Sequence, residues 1–156
     1  MIENESLADI ESAWREHSAE LVRFASLVSS PDAALDVVSE AFLRFDRHRG
    51  AVTNVRAYLF RTVHNVANDL HRSRRRRERR ETLVATDRNA PHAAPPGDPD
   101  LIAAVSRLSP QQRAAVYFAY WEDLTESQIA ETLGTSVGTI RRQLGRARLR
   151  LRKELS

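Results

Sequence analysis

Twenty residues, 81–100, place the strongest limit on what this chain can fold into. The stretch ETLVATDRNAPHAAPPGDPD holds four of the six prolines and has no apolar periodicity. Proline removes a backbone donor and steers the residue before it away from helical geometry, so no helix or central strand is expected to cross it. A structureless run of this length reads as a flexible linker, with a fully extended reach of about 65 Å. It divides the 156 residues into an N-terminal unit, 1–80, and a C-terminal unit, 101–156. The second unit is small enough to be marginal as an independent fold.

Apolar spacing in both units is helical. Leu7, Ile10, Trp14, His17, Leu21, Phe24 and Val28 recur every three or four residues and form one stripe. His17 continues that stripe and reads as a core histidine, not a ligand. Ser30-Pro31 reads as a helix cap with proline at the first helical position. The next helix runs to about Arg47, with Leu35, Val38, Phe42 and Phe45 on one face. A loop at 48–54 contains Gly50. A third helix starts near Val55, buries Leu59, Val63, Val66 and Leu70, and continues into the basic run Arg72 to Arg80.

In the second unit, Leu101, Ile102, Val105 and Leu108 open the apolar pattern. Ser109-Pro110-Gln111-Gln112 and Thr125-Glu126-Ser127-Gln128 are two capping boxes. Gly134 ends the short helix after the second box, and Ser136 caps a last helix running to about Leu155. The fold class is therefore all-α: two small helical domains joined by a Pro-rich linker.

Composition removes several functional classes. There are no cysteines, hence no disulfide or thiolate metal site. The five histidines, 17, 48, 64, 71 and 92, are scattered, with no HExxH, paired-carboxylate or Gly-rich phosphate motif. No catalytic residue, metal or cofactor is expected. The acidic start MIENESLADIE lacks the apolar core of a signal peptide, and no apolar run approaches the roughly 18 residues of a membrane helix. The expected location is the cytoplasm. Net charge is +3, but it is distributed in blocks: −7 over 1–40, +9 over 41–80, −3 over 81–100 and +4 over 101–156. Two basic blocks imply two surfaces facing a polyanion.

The span Thr125 to Leu144 has helix-turn-helix form, turning at Gly134-Thr135-Ser136. At about 100° per residue, Val137, Ile140, Leu144, Ala147 and Leu151 share one stripe. Arg142, Gly145 and Arg146 lie opposite, with Arg141 on the flank. An apolar stripe backed by a basic face suits a helix that enters the major groove. Ser136, Thr139, Arg141, Arg142 and Arg146 are its candidate DNA contacts. On the third helix of the first unit, Arg61, His64, Asn65, Asn68 and Arg72 lie opposite the core stripe. They mix amides that can pair with base edges and arginines that can hold phosphates. Asn54, Arg56 and Tyr58 sit at its start, where an aromatic ring can stack on an unpaired base.

These motifs resemble the sigma-70 family of bacterial RNA polymerase specificity subunits, specifically the extracytoplasmic-function (ECF) group. Residues 34–43 (ALDVVSEAFL) resemble the family's segment for binding the polymerase β′ clamp helices. Residues 57–69 (AYLFRTVHNVAND) resemble its −10 reading helix, with Tyr58 where a Trp is usual. Residues 108–113, 129–131 and 133–140 resemble its −35 domain. The resemblance implies promoter recognition and transcription initiation with core polymerase. It assigns Asp36, Val37 and Glu40 to the clamp, the set from Asn54 to Arg72 to the −10 element, and the set from Ser136 to Arg146 to the −35 element. It further implies contact with the β flap and an anti-sigma factor as partner. Two other readings stay open: a stand-alone helix-turn-helix regulator, and a degenerate relative that binds polymerase or an anti-sigma factor without initiating.

Overall fold

A 27-residue helix, α1 (Ile2–Val28), forms the backbone of the N-terminal unit. Its C-terminal half is the buried half: Leu21, Phe24 and Val28 lose all contact with solvent, whereas Trp14 stays partly exposed and meets Phe42 edge-on at 4.9 Å. The computed structural model describes residues 2–80 and 98–156, with side chains for 9–79 and 98–156. Most of the expected linker, 81–97, lies outside the described residues.

Helix α2 (Ala34–His48) begins later than the sequence suggests. Residues 31–33 form a turn, in which the Ala33 amide donates to the carbonyl and hydroxyl of Ser30, each at 3.2 Å. Ser30 thus closes that turn and does not cap the helix. Ala34, Val37, Val38, Ala41, Phe42 and Phe45 form the buried face of α2. Leu35 shares the angular position of Phe42 but occupies the first turn, where it is 58% exposed. A 3₁₀ turn at Arg49–Ala51 leads to α3 (Val55–Arg80). There the Asn54 side-chain oxygen accepts from the Ala57 amide at 3.0 Å.

The C-terminal unit contains α4 (Pro99–Ser106), α5 (Pro110–Val116), a π-helical turn Tyr117–Trp121, α6 (Glu126–Leu133) and α7 (Val137–Leu155). The expected caps are in place. Both capping boxes are complete, Ser109 with Gln112 and Thr125 with Gln128. The Ser136 hydroxyl accepts from the Thr139 amide at 3.1 Å. Gly134 adopts φ +69°, the left-handed geometry that glycine reaches without strain. Within this unit Ile129 and Leu133 of α6 and Ile140, Leu144 and Ala147 of α7 are buried.

The two units share one continuous hydrophobic core. The Phe24 ring lies 5.1 Å from Phe60, 4.9 Å from Tyr117 and 5.1 Å from Phe118, and Phe60 meets Phe118 at 5.4 Å. Two helices of the first unit therefore complete the core of the second. Helix α3 is buried along two adjoining stripes: Leu59 and Val63 towards α1 and α2, and Phe60, His64 and Ala67 on the side facing the C-terminal unit.

Phe24→Ala should cost about 3–5 kcal/mol, the usual loss for a buried aromatic. Because the core is shared, urea unfolding monitored at Trp14 and at Trp121 (each in a variant lacking the other) should shift by the same amount. A transition at Trp121 that stays in place would mean the units do not share a core.

Candidate nucleic-acid interface

Helix α7 presents the face the wheel assigned to it. Arg141, Arg142 and Arg146 are exposed, while Ile140, Leu144 and Ala147 point inward. The Arg141 guanidinium pairs with Glu126 of α6 at 3.1 Å, which ties the two helices of the motif together at their outer edge. Arg142 donates to the Thr139 hydroxyl at 3.2 Å. Thr139 and Ser136 are themselves linked, 2.9 Å between hydroxyl oxygens, so both serve the helix start as well as the surface. Arg146 has no ion-pair or hydrogen-bond partner among the described residues. Gly145 lies within this face, and a Cβ there would meet nothing within 4 Å.

The second predicted face, at the start of α3 and along it, is mixed: Arg61 is exposed, Arg56, Tyr58 and Asn68 are half-buried, and His64 is buried. Asn65 and Arg72 are exposed, as is Asn54 at the start of the helix. Tyr58 is half-buried. Its hydroxyl donates to the Arg44 carbonyl at 3.3 Å and its ring lies 6.1 Å from Phe45, so its far side belongs to α2. Arg56 reaches Glu20 at 3.1 Å and Glu122 at 3.1 Å, with its guanidinium 4.6 Å above the Phe60 ring. Arg61 donates to the carbonyls of Glu131, at 2.6 Å, and Thr132, at 3.1 Å. Those carbonyls end α6, where the helix dipole is negative.

Two assignments are corrected. His64 is 7% exposed and cannot read a base, because the stripe it occupies faces the second unit. The Asn68 amide donates to its Nε2 at 3.1 Å, which leaves the ring proton on Nδ1 without a partner. Val37 is 2% exposed and packs in the α2 core, so it cannot touch polymerase directly. Asp36 lies on the outer side of α2, Glu40 is half-buried and paired with Arg44 at 3.3 Å, and Leu35 and Leu43 are exposed beside them.

One residue of this region was not foreseen. Arg113 of α5 is 7% exposed and donates to the carbonyls of Leu27, at 2.9 Å, and Ser29, at 3.2 Å. It satisfies the end of α1, a helix with no basic residue in its last turn. Burial holds its pKa down to about 10, so it remains a cation at neutral pH. Its only sequence signal is its place one turn before Tyr117 and Phe118.

Between the units lies a polar cleft of about 500 Å³. Thr53, Asn54, Tyr58 and Arg61 form one wall, and Leu124, Gln128 and Glu131 the other. A second, apolar groove of about 830 Å³ runs between Leu101, Tyr120, Trp121, Leu151 and Leu155, with Arg148 and Arg152 at its rim. Among the described residues, no cluster of His, Asp and Glu could hold a metal, and no helix is long and apolar enough to cross a membrane.

A helix-turn-helix with an outward basic face, beside a second basic helix, is the build of a protein that binds DNA. Residues 13–77 match sigma-70 region 2 and residues 100–151 match sigma-70 region 4. The RNA polymerase sigma-E factor of Streptomyces antibioticus is 32% identical over 139 residues, covering 83% of this chain and 74% of that protein. The ECF RNA polymerase sigma factor SigL of Mycobacterium tuberculosis is 32% identical over 144 residues, covering 84% and 80%. The solved sigma factor RpoE of Bartonella quintana, in complex with the anti-sigma factor NepR, is similar with a TM-score of 0.74 and 27% identity, over 94% of this chain and 96% of that one. CnrH, solved with the cytosolic domain of CnrY, shares the fold at a TM-score of 0.63 and 22% identity. The chain belongs to the sigma-70 family of RNA polymerase sigma factors, in its ECF group. Proteins of this kind are generally initiation factors without enzymatic activity.

Burial pushes the His64 pKa down to about 4. The folded chain keeps the ring neutral, whereas the unfolded chain protonates it below about pH 6.5. Its contribution is therefore complete above pH 6.5, is lost as pH falls from there towards 4, and changes no further below. The loss by pH 5 should be about 2 kcal/mol. Urea midpoints at pH 7.5 and 5.0 should fall further for the wild type than for His64→Leu; equal falls would refute this. Gly145→Ala should raise stability by about 1 kcal/mol through helix propensity, read as a higher melting temperature. A lower one would mean that the site does not tolerate a methyl group.

Proposed function

We propose that this sigma factor reads a two-part promoter with its two basic faces. The observation that carries the −35 half is the outward arginine set on α7, Arg141, Arg142 and Arg146, backed by the buried Ile140, Leu144 and Ala147. A guanidinium there can hold a guanine edge through two parallel hydrogen bonds or neutralise a phosphate. Ser136 and Thr139 fix the helix start and offer hydroxyls to the backbone. On the first unit, Asn54, Arg56, Tyr58, Arg61, Asn65, Asn68 and Arg72 form the −10 surface. Holding an extruded base costs a few kcal/mol of lost stacking, and the cleft beside Asn54 and Tyr58 is the pocket that fits it. The basic run that begins at Arg72 would track backbone phosphates.

The outer side of α2 docks on the β′ clamp helices through Asp36 and Glu40, helped by the exposed Leu35 and Leu43. The apolar groove between α4 and α7 is the surface for the β flap. An anti-sigma factor is a further partner, supported by the likeness of the whole two-unit arrangement to a sigma factor solved with one. The protein works without cofactor or catalysis, in the cytoplasm.

Run-off transcription with core polymerase over a genomic promoter library tests the reading. Discrete starts that need the protein support it; core binding with no starts would favour a degenerate relative. Arg146→Ala should reduce starts that depend on a −35 element about tenfold, in line with losing one good base or phosphate contact, and leave core binding intact. A parallel fall in core binding would reassign that face to polymerase.

A further inference from the structure

The three outward arginines of α7 stand in three different environments. Arg141 is paired with Glu126 of α6, so its charge is already met within the motif. Arg146 is exposed and has no ion-pair or hydrogen-bond partner among the described residues. Arg142 is exposed but tethered. Its Nη2 donates to the Thr139 hydroxyl at 3.2 Å, and that oxygen lies 2.9 Å from the Ser136 hydroxyl, which accepts from the Thr139 amide at 3.1 Å. Ser136, Thr139 and Arg142 thus form one ladder up the start of the helix, anchored on its cap. The ladder draws the guanidinium towards the N-terminal end of α7, the end that recognition helices turn to base edges. The tether uses one N–H and leaves the rest of the guanidinium fork open. A neutral hydroxyl holds it, so no ion pair has to break before it meets a ligand. Its neighbours on the same face are Gly138, one turn before it, and Gly145, one turn after. A Cβ at Gly145 would meet nothing within 4 Å, one at Gly138 only the Ser136 hydroxyl at 3.9 Å, and neither glycine has a positive φ. Nothing in the fold requires glycine at either position, and glycine lowers helix propensity. What the two positions provide is clearance beside Arg142, where the backbone itself can come close to a partner.

We propose that Arg142 is the specificity-determining residue of α7: its tethered fork reads a guanine of the −35 element at O6 and N7, through the clearance left by Gly138 and Gly145. This rests on the promoter-reading function proposed for the chain. Guanine is the base whose major-groove edge offers two adjacent acceptors, the pattern that a guanidinium fork matches. Thr139 is a positioning residue that sets the direction of the fork. Arg146, charged but untethered, neutralises a phosphate and carries no base preference.

The test is run-off transcription with core polymerase and the full chain, on a promoter that gives protein-dependent starts, with its −35 bases randomised. The wild type should favour guanine at one −35 position by about tenfold. Arg142→Ala and Arg142→Lys should both bring that preference close to parity, since an ammonium has no fork, and keep the preferences at other positions. Thr139→Val, which keeps the side-chain shape without the hydroxyl, should reduce it about threefold, as for one lost hydrogen bond. Gly145→Leu should lower starts from guanine-bearing −35 elements about tenfold with no fall in melting temperature. Arg146→Ala should lower starts on every −35 sequence alike and reduce the salt slope of holoenzyme binding by about 1, with the guanine preference unchanged. A wild type without that preference, a preference that survives Arg142→Ala or vanishes with Arg146→Ala, or a Gly145→Leu that transcribes as the wild type does, would overturn the proposal and leave promoter reading intact. Absence of protein-dependent starts from every promoter would instead remove promoter reading itself, and the proposal with it.

Discussion

A helical unit of fewer than sixty residues buries a small share of its surface and sits near the limit of independent stability. In this chain that limit is met by contact with α1 and α3. The rings of Phe24 and Phe60 fill the side of the second unit where Tyr117 and Phe118 emerge. Most other features of the seam between the units depend on this burial. Covering the ends of α1 and α6 would strand backbone carbonyls, and stranded polar groups cost about 1–3 kcal/mol each. Arg113 and Arg61 reach those carbonyls. Their planar, forked guanidinium can serve two acceptors at once, which a lysine ammonium does less well.

Much of the fold was legible because it is decided locally. Capping boxes at Ser109 and Thr125, the left-handed Gly134, the Ser136 cap and the inward stripe of α7 depend on residues within one or two turns of each other. Sequence spacing records such relations directly. The departures arise where a distant element intervenes. His64 was assigned to an open face because one core stripe, Leu59 to Leu70, was enough to explain α3. The adjoining positions Phe60, His64, Ala67 and His71 have helical spacing too, and together the two stripes mark a helix covered on two sides. Leu35 and Val37 exchanged places for a simpler reason. Angular position says which face a residue occupies, but only the length of the neighbouring helix says whether anything covers it.

The candidate site divides along the same line. The basic face of α7 lies on one helix and backs onto its own core, so its exposure could be read from the sequence. The surface proposed for the −10 element combines a loop, the start of α3 and whatever lies across the cleft. Its residue types were legible, but the partners Glu20, Glu122 and the α6 carbonyls are 36 to 71 positions away in sequence. Arg113, whose neighbours along the chain are an apolar helix and an aromatic run, gave no chemical hint that its charge is buried against another unit.

The π-helical turn at Tyr117–Trp121 has a wider meaning for the architecture. One extra residue in the turn, closed by the Glu122 amide on the Tyr117 carbonyl at 3.3 Å, rotates the chain beyond it by about a hundred degrees relative to a regular helix. An aromatic run that would otherwise wind steadily round its axis is thereby dealt to two directions. Tyr117 and Phe118 enter the shared core, and Tyr120 and Trp121 line the apolar groove beside α7. The seam and the groove are thus set in fixed phase by five residues. A ligand that pries at one of them pulls on the same short turn that shapes the other.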